Sequence, residues 1–332
     1  MQTILIFAFD GIMDSSLAIS LDLLNTALRV CSSSTRKNIQ IFTVGFRKTI
    51  VTAAGLRMSC DLTFKTLESA DLKPQWIIIP GAGMDTEKAL HTRLQDKDMR
   101  AVQKGLRHFH HNSKQARPAA CKIAASCSSV FLLAEAGITE GHRVTTTWWL
   151  APHFRERYPH IHLNENKMLL RDRQLLTAGA AYAQLDLMLA LVSELMGEAC
   201  ANTCASYLLL DQGRTQARYI VPGQLRQNDA SLVAIEKWID SAIEHPFTVD
   251  ELASTFAMSS KTLGRKIYAA SQRSTLKFIQ NRRLIRALQL IDNSPLSIEA
   301  IAEKVGYQDG TALRKLIKRE LGITPTALRR RD

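Results

Sequence analysis

The sequence predicts two folds in one chain: a doubly wound α/β domain on a parallel sheet, then an all-α domain with two helix-turn-helix units. Three observations predict this. Short apolar runs alternate with amphipathic stretches up to about residue 210. A polar, aperiodic segment follows. Beyond it every periodic stretch is helical, and one block recurs 49 residues later, from Val249 to Ile298.

The elements follow in order. Residues 4–9, 39–44, 76–80, 122–126 and 144–148 are short β-rich runs, read as strands. Between them, 17–30 and 98–109 carry helical periodicity, and 185–196 reads as a further buried helix. Near-continuous apolar strands alternating with helices indicate a sheet covered on both faces. Turn-forming residues such as Pro80-Gly81-Ala82-Gly83 follow the strands, and ligands of open α/β sheets bind beyond those ends. Residues 213–230 hold Gly213, Pro222 and Gly223 among many polar side chains, which places a linker between domains 1–212 and 231–332.

Composition narrows the class. The 332 residues are 46% apolar and 22% charged, which argues against a disordered or fibrous chain. No run approaches the ~20 apolar residues of a membrane span. The apolar run at 4–9 lacks a cationic segment before it, so neither a signal peptide nor a membrane partner is expected. Cys31, Cys60, Cys121, Cys127, Cys200 and Cys204 show no metal-type spacing. They fit free thiols in a reducing cytoplasm, with no metal and no cofactor expected.

Net charge is +12, and residues 231–332 hold 17 basic against 11 acidic side chains, about twice the cationic density of the rest. Between Lys261 and Ile291 stand eight basic residues and no acid. A solvated helix face explains such a run as readily as a polyanionic partner does. The repeat adds to it. Val249, Leu252, Ala253 and Phe256 recur as Ile298, Ile301, Ala302 and Val305, each set with the spacing of one helix face. Ser259 and Asp309 then stand as helix N-caps. Leu263 and Ile267 recur as Leu313 and Ile317. Each unit is thus a short helix, a tight turn and a second helix, the layout that places a helix in the DNA major groove. Leu276, Ile279, Leu284, Ala287, Leu288 and Ile291 keep a stripe on one joining helix, which Pro295 ends.

These motifs resemble the AraC/XylS DNA-binding domain. The resemblance rests on Ser259-x-x-Thr262-Leu263-x-Arg265, Arg283-Leu284-x-x-Ala287, Ile301-Ala302-x-x-Val305-Gly306-Tyr307-x-Asp309 and Gly322-Ile323-Thr324-Pro325. Gln272 and Thr275 stand where Gly and Pro are usual, and Ile267 and Ile317 where Phe is usual. The resemblance implies base-facing residues at Lys261, Gly264, Arg265, Gly310, Thr311, Arg314 and Lys315, with double-stranded promoter DNA and RNA polymerase as partners. Arg282, Arg283, Lys318 and Arg319 read as phosphate contacts or solvated charges, and Arg329-Arg330-Arg331 as a frayed tail.

The segment around Cys127 runs from a strand through small residues into a helix, an arrangement that exposes a nucleophile and lowers a thiol pKa. With 76–81, 141–148 and Thr177-Ala178-Gly179, it resembles the ThiJ/PfpI group, which is class I glutamine-amidotransferase-like and flavodoxin-like in fold. The combined layout is that of GlxA-type regulators. Where that group carries catalytic or pocket histidines, Ser128 and Thr147 stand here, and Ser129 replaces a glycine of the elbow. Threonine is no general base near neutral pH, so no catalytic residue is assigned. The resemblance implies a pocket of Asp14, Gly81, Ala82, Cys127, Ser128, Thr147 and Trp148 for a small-molecule effector. Asp14 beside a tryptophan face suits an amine, or is simply an acid at a helix start. Trp148 and Trp149 would alternate across their strand. The expected function is a homodimeric, metabolite-controlled transcription regulator, an activator as is usual for the AraC family. The alternatives are a ThiJ/PfpI-type amidase or hydrolase fused to a DNA-binding module, and a basic protein that coats nucleic acid without reading it.

Overall fold

The computed structural model describes residues 2–31, 38–69, 72–115, 121–210 and 230–329. The expected linker lies outside the described residues except for Ala230, as do Arg330 and Arg331 of the basic tail. The chain divides into two compact units.

Through residue 207 the elements are β1 (Gln2–Ala8), α1 (Asp14–Val30), β2 (Ile39–Gly45), β3 (Thr49–Val51), β4 (Arg57–Ser59), β5 (Leu62–Thr63), α2 (Phe64–Ser69), β6 (Pro74–Ile79), α3 (Glu87–Leu94), α4 (Lys97–Gln115), β7 (Lys122–Ser126), α5 (Val130–Glu135), β8 (Arg143–Val144), α6 (Ala151–Arg157), β9 (His162–Leu163), β10 (Leu169–Asp172), β11 (Leu175–Ala178), α7 (Gln184–Met196) and α8 (Glu198–Tyr207). The main sheet has the order β10-β11-β7-β6-β1-β2-β5. Every pairing in it is parallel except β10 with β11. Chain order reverses about β1, the doubly wound arrangement. Ile4 to Ala8 are fully buried, as a strand covered on both faces must be.

Residues 144–148 do not form the expected strand. Only Arg143–Val144 pairs, with His162–Leu163, and residues 148–150 turn as a 3-10 helix. The threonines are buried but bond outward: Thr145 N–H donates to Thr177 Oγ1 at 3.0 Å, Thr145 Oγ1 to Lys167 O at 2.8 Å, and Thr146 Oγ1 to Cys127 O at 2.8 Å. A run of β-branched residues imitates a strand when its side chains bond across to other segments. Trp148 and Trp149 consequently form an edge-to-face pair within the turn, not opposite faces of a strand.

The second unit comprises α6 together with α9 (Ala230–Ala242), α10 (Val249–Thr255), α11 (Ser260–Ser271), α12 (Thr275–Asn293), α13 (Ile298–Lys304), α14 (Gly310–Leu321) and α15 (Pro325–Arg329). The repeat holds at atomic detail. Ser259 caps α11 by accepting from Thr262 N–H, and Asp309 caps α14 by accepting from Thr311 and Ala312 N–H. In the first turn Phe256 N and Met258 N donate to Ala253 O at 3.1 and 2.9 Å; in the second, Val305 N and Tyr307 N donate to Ala302 O at 3.1 and 2.9 Å. Each turn passes through a left-handed residue, Ala257 at φ 51 and Gly306 at φ 77. Two hydrophobic cores result. Leu252, Ala253, Leu263 and Ile267 centre the first, and Ile301, Ala302, Leu313 and Ile317 the second. The helix α12, about 28 Å long at 1.5 Å per residue, feeds Phe278 and Ile279 to one core and Leu284 to Ile291 to the other. Leu276, expected on that stripe, is 64% exposed.

Candidate functional site

The sharp turn at Cys127 forms as its sequence implies. Strand β7 delivers Cys127 at φ 55, a left-handed conformation costly for a residue with a Cβ, and α5 begins at Val130. Ser129 does not disturb this turn: it sits in ordinary helical backbone, and its hydroxyl donates to Pro80 O at 2.6 Å. Ser128 Oγ donates to Ala82 O at 2.8 Å. Both serines therefore latch the exit of β6 to the turn. Gly81 is required by close approach, since a Cβ there would lie 2.9 Å from Ser16 Oγ and 3.1 Å from Cys127 Cβ.

Gly81, Ala82, Cys127, Ser128, Thr147 and Trp148 are all buried. Gly81 lies against Cys127, Ser128 bonds to Ala82 O, and the Thr147 hydroxyl faces the Cys127 thiol. Asp14 is turned to other partners. One carboxylate oxygen accepts from Thr52 Oγ1 and the other from Ala54 N–H at 2.9 Å, both on the β3–β4 hairpin. These bonds, that to Thr52 foremost, hold its carboxyl below the usual range.

The expectation that the helix start lowers the Cys127 pKa is overturned. Burial pushes the thiol up, although the Ser128 N–H and hydroxyl, the Thr147 hydroxyl and the Ala181 N–H all pull the other way. Desolvation of a thiolate outweighs those neutral donors. Among the described residues no histidine or carboxylate acts on this thiol. His142 instead faces Asp172 at 3.8 Å, and His160 faces Glu140 at 3.8 Å. A thiol held neutral by burial is a weaker nucleophile than a thiolate.

The second unit presents the other site. Lys261 and Arg265 are exposed on α11, with Gly264 half-buried between them. On α14, Thr311, Arg314 and Lys315 are exposed, whereas Gly310 is buried. A Cβ at Gly310 would lie 2.8 Å from an Arg314 guanidinium nitrogen and 3.2 Å from Glu299 Oε1, so Gly310 is a floor beneath those side chains, not a surface for a base. Arg314 is ion-paired with Glu299 of α13, and that pairing holds the Glu299 carboxyl below its usual range.

Of the four arginine and lysine residues read as phosphate contacts or solvated charges, Arg282 is neither, and Arg283 is half-buried. Arg282 is 4% exposed and grips Asp240 of α9, with Nε 3.0 Å from Oδ1 and a second guanidinium nitrogen on Oδ2. Arg283 lies between the Phe247 and Tyr307 rings, 5.9 and 5.2 Å from their centroids. Lys318 and Arg319 are exposed; Arg319 pairs with Glu320 at 2.9 Å. Aromatic positions 247 and 307 were the signal in the sequence for the Arg283 site.

Known proteins bear on both units. Residues 2–194 match the DJ-1/PfpI family, and residues 252–331 match a helix-turn-helix domain. The chain is 28% identical to the HTH-type transcriptional regulator GlxA of Rhizobium meliloti over 64% of its length and 66% of that protein's. It is 27% identical to the HTH-type transcriptional regulator ArgR of Pseudomonas aeruginosa, over 64% and 65% respectively. The matched part thus spans just under two thirds of those relatives. A ThiJ/PfpI family protein from Pseudomonas syringae superposes with a TM-score of 0.50 at 19% identity, covering 70% of this chain and 86% of that one. That likeness is one of fold. Among the described residues no helix is long and apolar enough to cross a membrane, and no cluster of metal-ligating side chains occurs. The chain belongs to the DJ-1/PfpI family and carries behind that domain a helix-turn-helix domain of the AraC type.

Proposed function

We propose that the protein is a sequence-specific DNA-binding regulator of transcription, and that its DJ-1/PfpI domain senses a small metabolite without turning it over. The observation that carries this reading is the paired geometry of α11 and α14. Each follows a tight turn, each is capped at its N-terminus, and each exposes basic side chains where base edges would lie. Arg265 and Lys315 donate to guanine O6 and N7, and Thr311 meets a base edge or methyl group. The names of the GlxA and ArgR relatives support the regulatory role. The neutral, base-free Cys127 supports a sensor over an amidase. The protein acts in the cytoplasm as a homodimer and as an activator, through contact with RNA polymerase. Its domains divide as 1–212, 213–230 and 231–332. The effector lodges among Gly81, Ala82, Cys127, Ser128, Thr147 and Trp148, with Asp14 at the rim, and admission requires these buried residues to part. An effector controls the switch only through unequal affinity for the two domain arrangements.

The test is an operator selected from random duplexes by the full chain, followed by titration of single-base variants. Arg265→Ala and Lys315→Ala each relax preference at particular base pairs by about 1–3 kcal/mol. Even loss on every duplex would identify a coating protein. Hydrolysis of small amides that Cys127→Ala abolishes would identify an enzyme.

A further inference from the structure

The joining helix α12 carries Arg283 into the seam between the two helix-turn-helix units. Its guanidinium carbon stands 5.9 Å from the centroid of the Phe247 ring and 5.2 Å from that of Tyr307. The two rings belong to different cores. Phe247 packs against the first, where it also meets Trp238 edge-on at 5.1 Å, and Tyr307 packs against the second. Arg283 Nε is buried and has no hydrogen-bond partner among the described residues. Ring faces hold this cation, a setting that suits a planar, weakly hydrated guanidinium better than a lysine ammonium.

The segments around Arg283 meet as well. The turn of the second unit passes through Gly306, where a Cβ would lie 2.5 Å from Ile243 O and 3.0 Å from an Arg283 guanidinium nitrogen. Lys304 on α13 faces Glu244 at 3.7 Å. Residues 304–307 of the second unit thus lie along residues 243–247, which lead into α10 of the first. The Lys304–Glu244 pair is exposed on both sides and contributes little. Arg283 is half-buried with a ring of each core beside it. The helix α12 sets the distance between the cores, and Arg283 bears on the angle between them.

We propose that Arg283 is a positioning residue for sequence reading. Clamped between Phe247 and Tyr307, it fixes the second unit at one angle to the first. It thereby sets the single spacing of operator boxes at which α11 and α14 read together. Each base pair inserted between the two boxes moves the second by about 3.4 Å along the duplex and turns it by about 35°. A fixed pair of readers loses its second contact on such a site. A loose pair follows the displaced box but gives up ordering entropy on every site. The inference rests on the DNA-reading function proposed above.

Titrations of the full chain on its selected operator, and on that operator with one base pair inserted between the boxes, test it. The wild type loses at least about tenfold on the insertion. Arg283→Met, which keeps the apolar stem, binds the parent operator about tenfold more weakly and discriminates against the insertion about tenfold less. Its preferences at the base pairs read by Arg265 and Lys315 stay, and so does its salt slope. Phe247→Leu removes one ring, leaves the arginine, and serves if Arg283→Met fails to fold. It relaxes the spacing in the same way, and the two changes together add little to either alone. Equal weakening at both spacings would reduce Arg283 to a structural role and overturn the proposal. So would a wild type indifferent to the insertion, or a salt slope lowered by about one unit in Arg283→Met, which marks a phosphate contact. A chain that selects no operator overturns the reading of function itself, and the clamp falls with it.

Discussion

Arg282 and Asp240 form a two-pronged ion pair in which the guanidinium is buried at 4% exposure and the carboxylate keeps 37%. The pair ties α12 to α9 inside the second unit. A buried arginine stripped of its partner is strongly destabilising, about 3–5 kcal/mol when both groups are buried. Solvent at Asp240 reduces this, so Asp240→Ala is expected to cost about 2 kcal/mol in denaturant unfolding. Replacing Arg282 by Met leaves the salt dependence of DNA binding unchanged, because a group this deep neutralises no phosphate. A salt slope reduced by about one unit would return Arg282 to the DNA surface.

The left-handed turn residues give a second expectation. Gly306 cannot accept a side chain, since φ is 77 and a Cβ would lie 2.5 Å from Ile243 O. Gly306→Ala therefore destabilises by at least about 2 kcal/mol. Ala257 and Gln272 occupy the same conformation, φ 51 and 54, with a Cβ and without glycine's freedom. Ala257→Gly and Gln272→Gly should each raise stability by up to about 1 kcal/mol. Thermal unfolding of the three variants decides. A loss on changing Gln272 to Gly would mean that its side chain contributes more than its backbone costs.

These turns also mark how far the sequence carries. The caps Ser259 and Asp309, the matched pairs Leu263 with Leu313 and Ile267 with Ile317, and the parallel strands β1, β2, β6 and β7 were legible, because each rests on local spacing that neighbours hardly alter. Depth was not legible. Arg282 and Arg286 both lie in the acid-free basic block, yet Arg282 is buried and Arg286 exposed, which depends on where Asp240 arrives. The Thr145–Thr147 stretch misled for the same reason: its bonding partners, Cys127, Lys167 and Thr177, are far along the chain or across the sheet. At Cys127 the turn was readable from small residues after a strand, but the direction of the pKa shift required knowing that the thiol is buried.

Thiol chemistry offers a third measurement. Burial raises Cys127, takes Cys60 to about 11 and takes Cys121 to about 12, from an ordinary 9.0. Each folded-state value lies above the unfolded one, so their contribution to stability is full below about pH 9 and is lost as the pH rises toward the folded values. Unfolding midpoints should therefore fall above pH 9. At neutral pH, iodoacetamide should leave Cys127 unlabelled in the native protein and label it in denaturant. Rapid native alkylation of Cys127, read by mass spectrometry, would show an activated thiolate and reopen the enzymatic reading.

Glu299 and Arg314 supply the last expectation. Arg314 stands on the exposed face of α14, but its guanidinium is engaged by Glu299 from the preceding helix, over the floor made by Gly310. A carboxylate at this place repels phosphate and competes for the arginine, so it weakens attachment to any duplex while leaving a correct base able to draw Arg314 away. Arg314 holds the Glu299 carboxyl below its ordinary 4.5. The pair is therefore intact at neutral pH and is lost only as acid protonates Glu299. Glu299→Gln should strengthen binding to random DNA, make log K steeper against log salt by about one unit, and narrow the gap between operator and random sequence. Anisotropy titrations at two or more salt concentrations measure all three. If random-sequence affinity and slope are both unchanged, Arg314 does not face the duplex, and reading by α14 rests on Thr311 and Lys315.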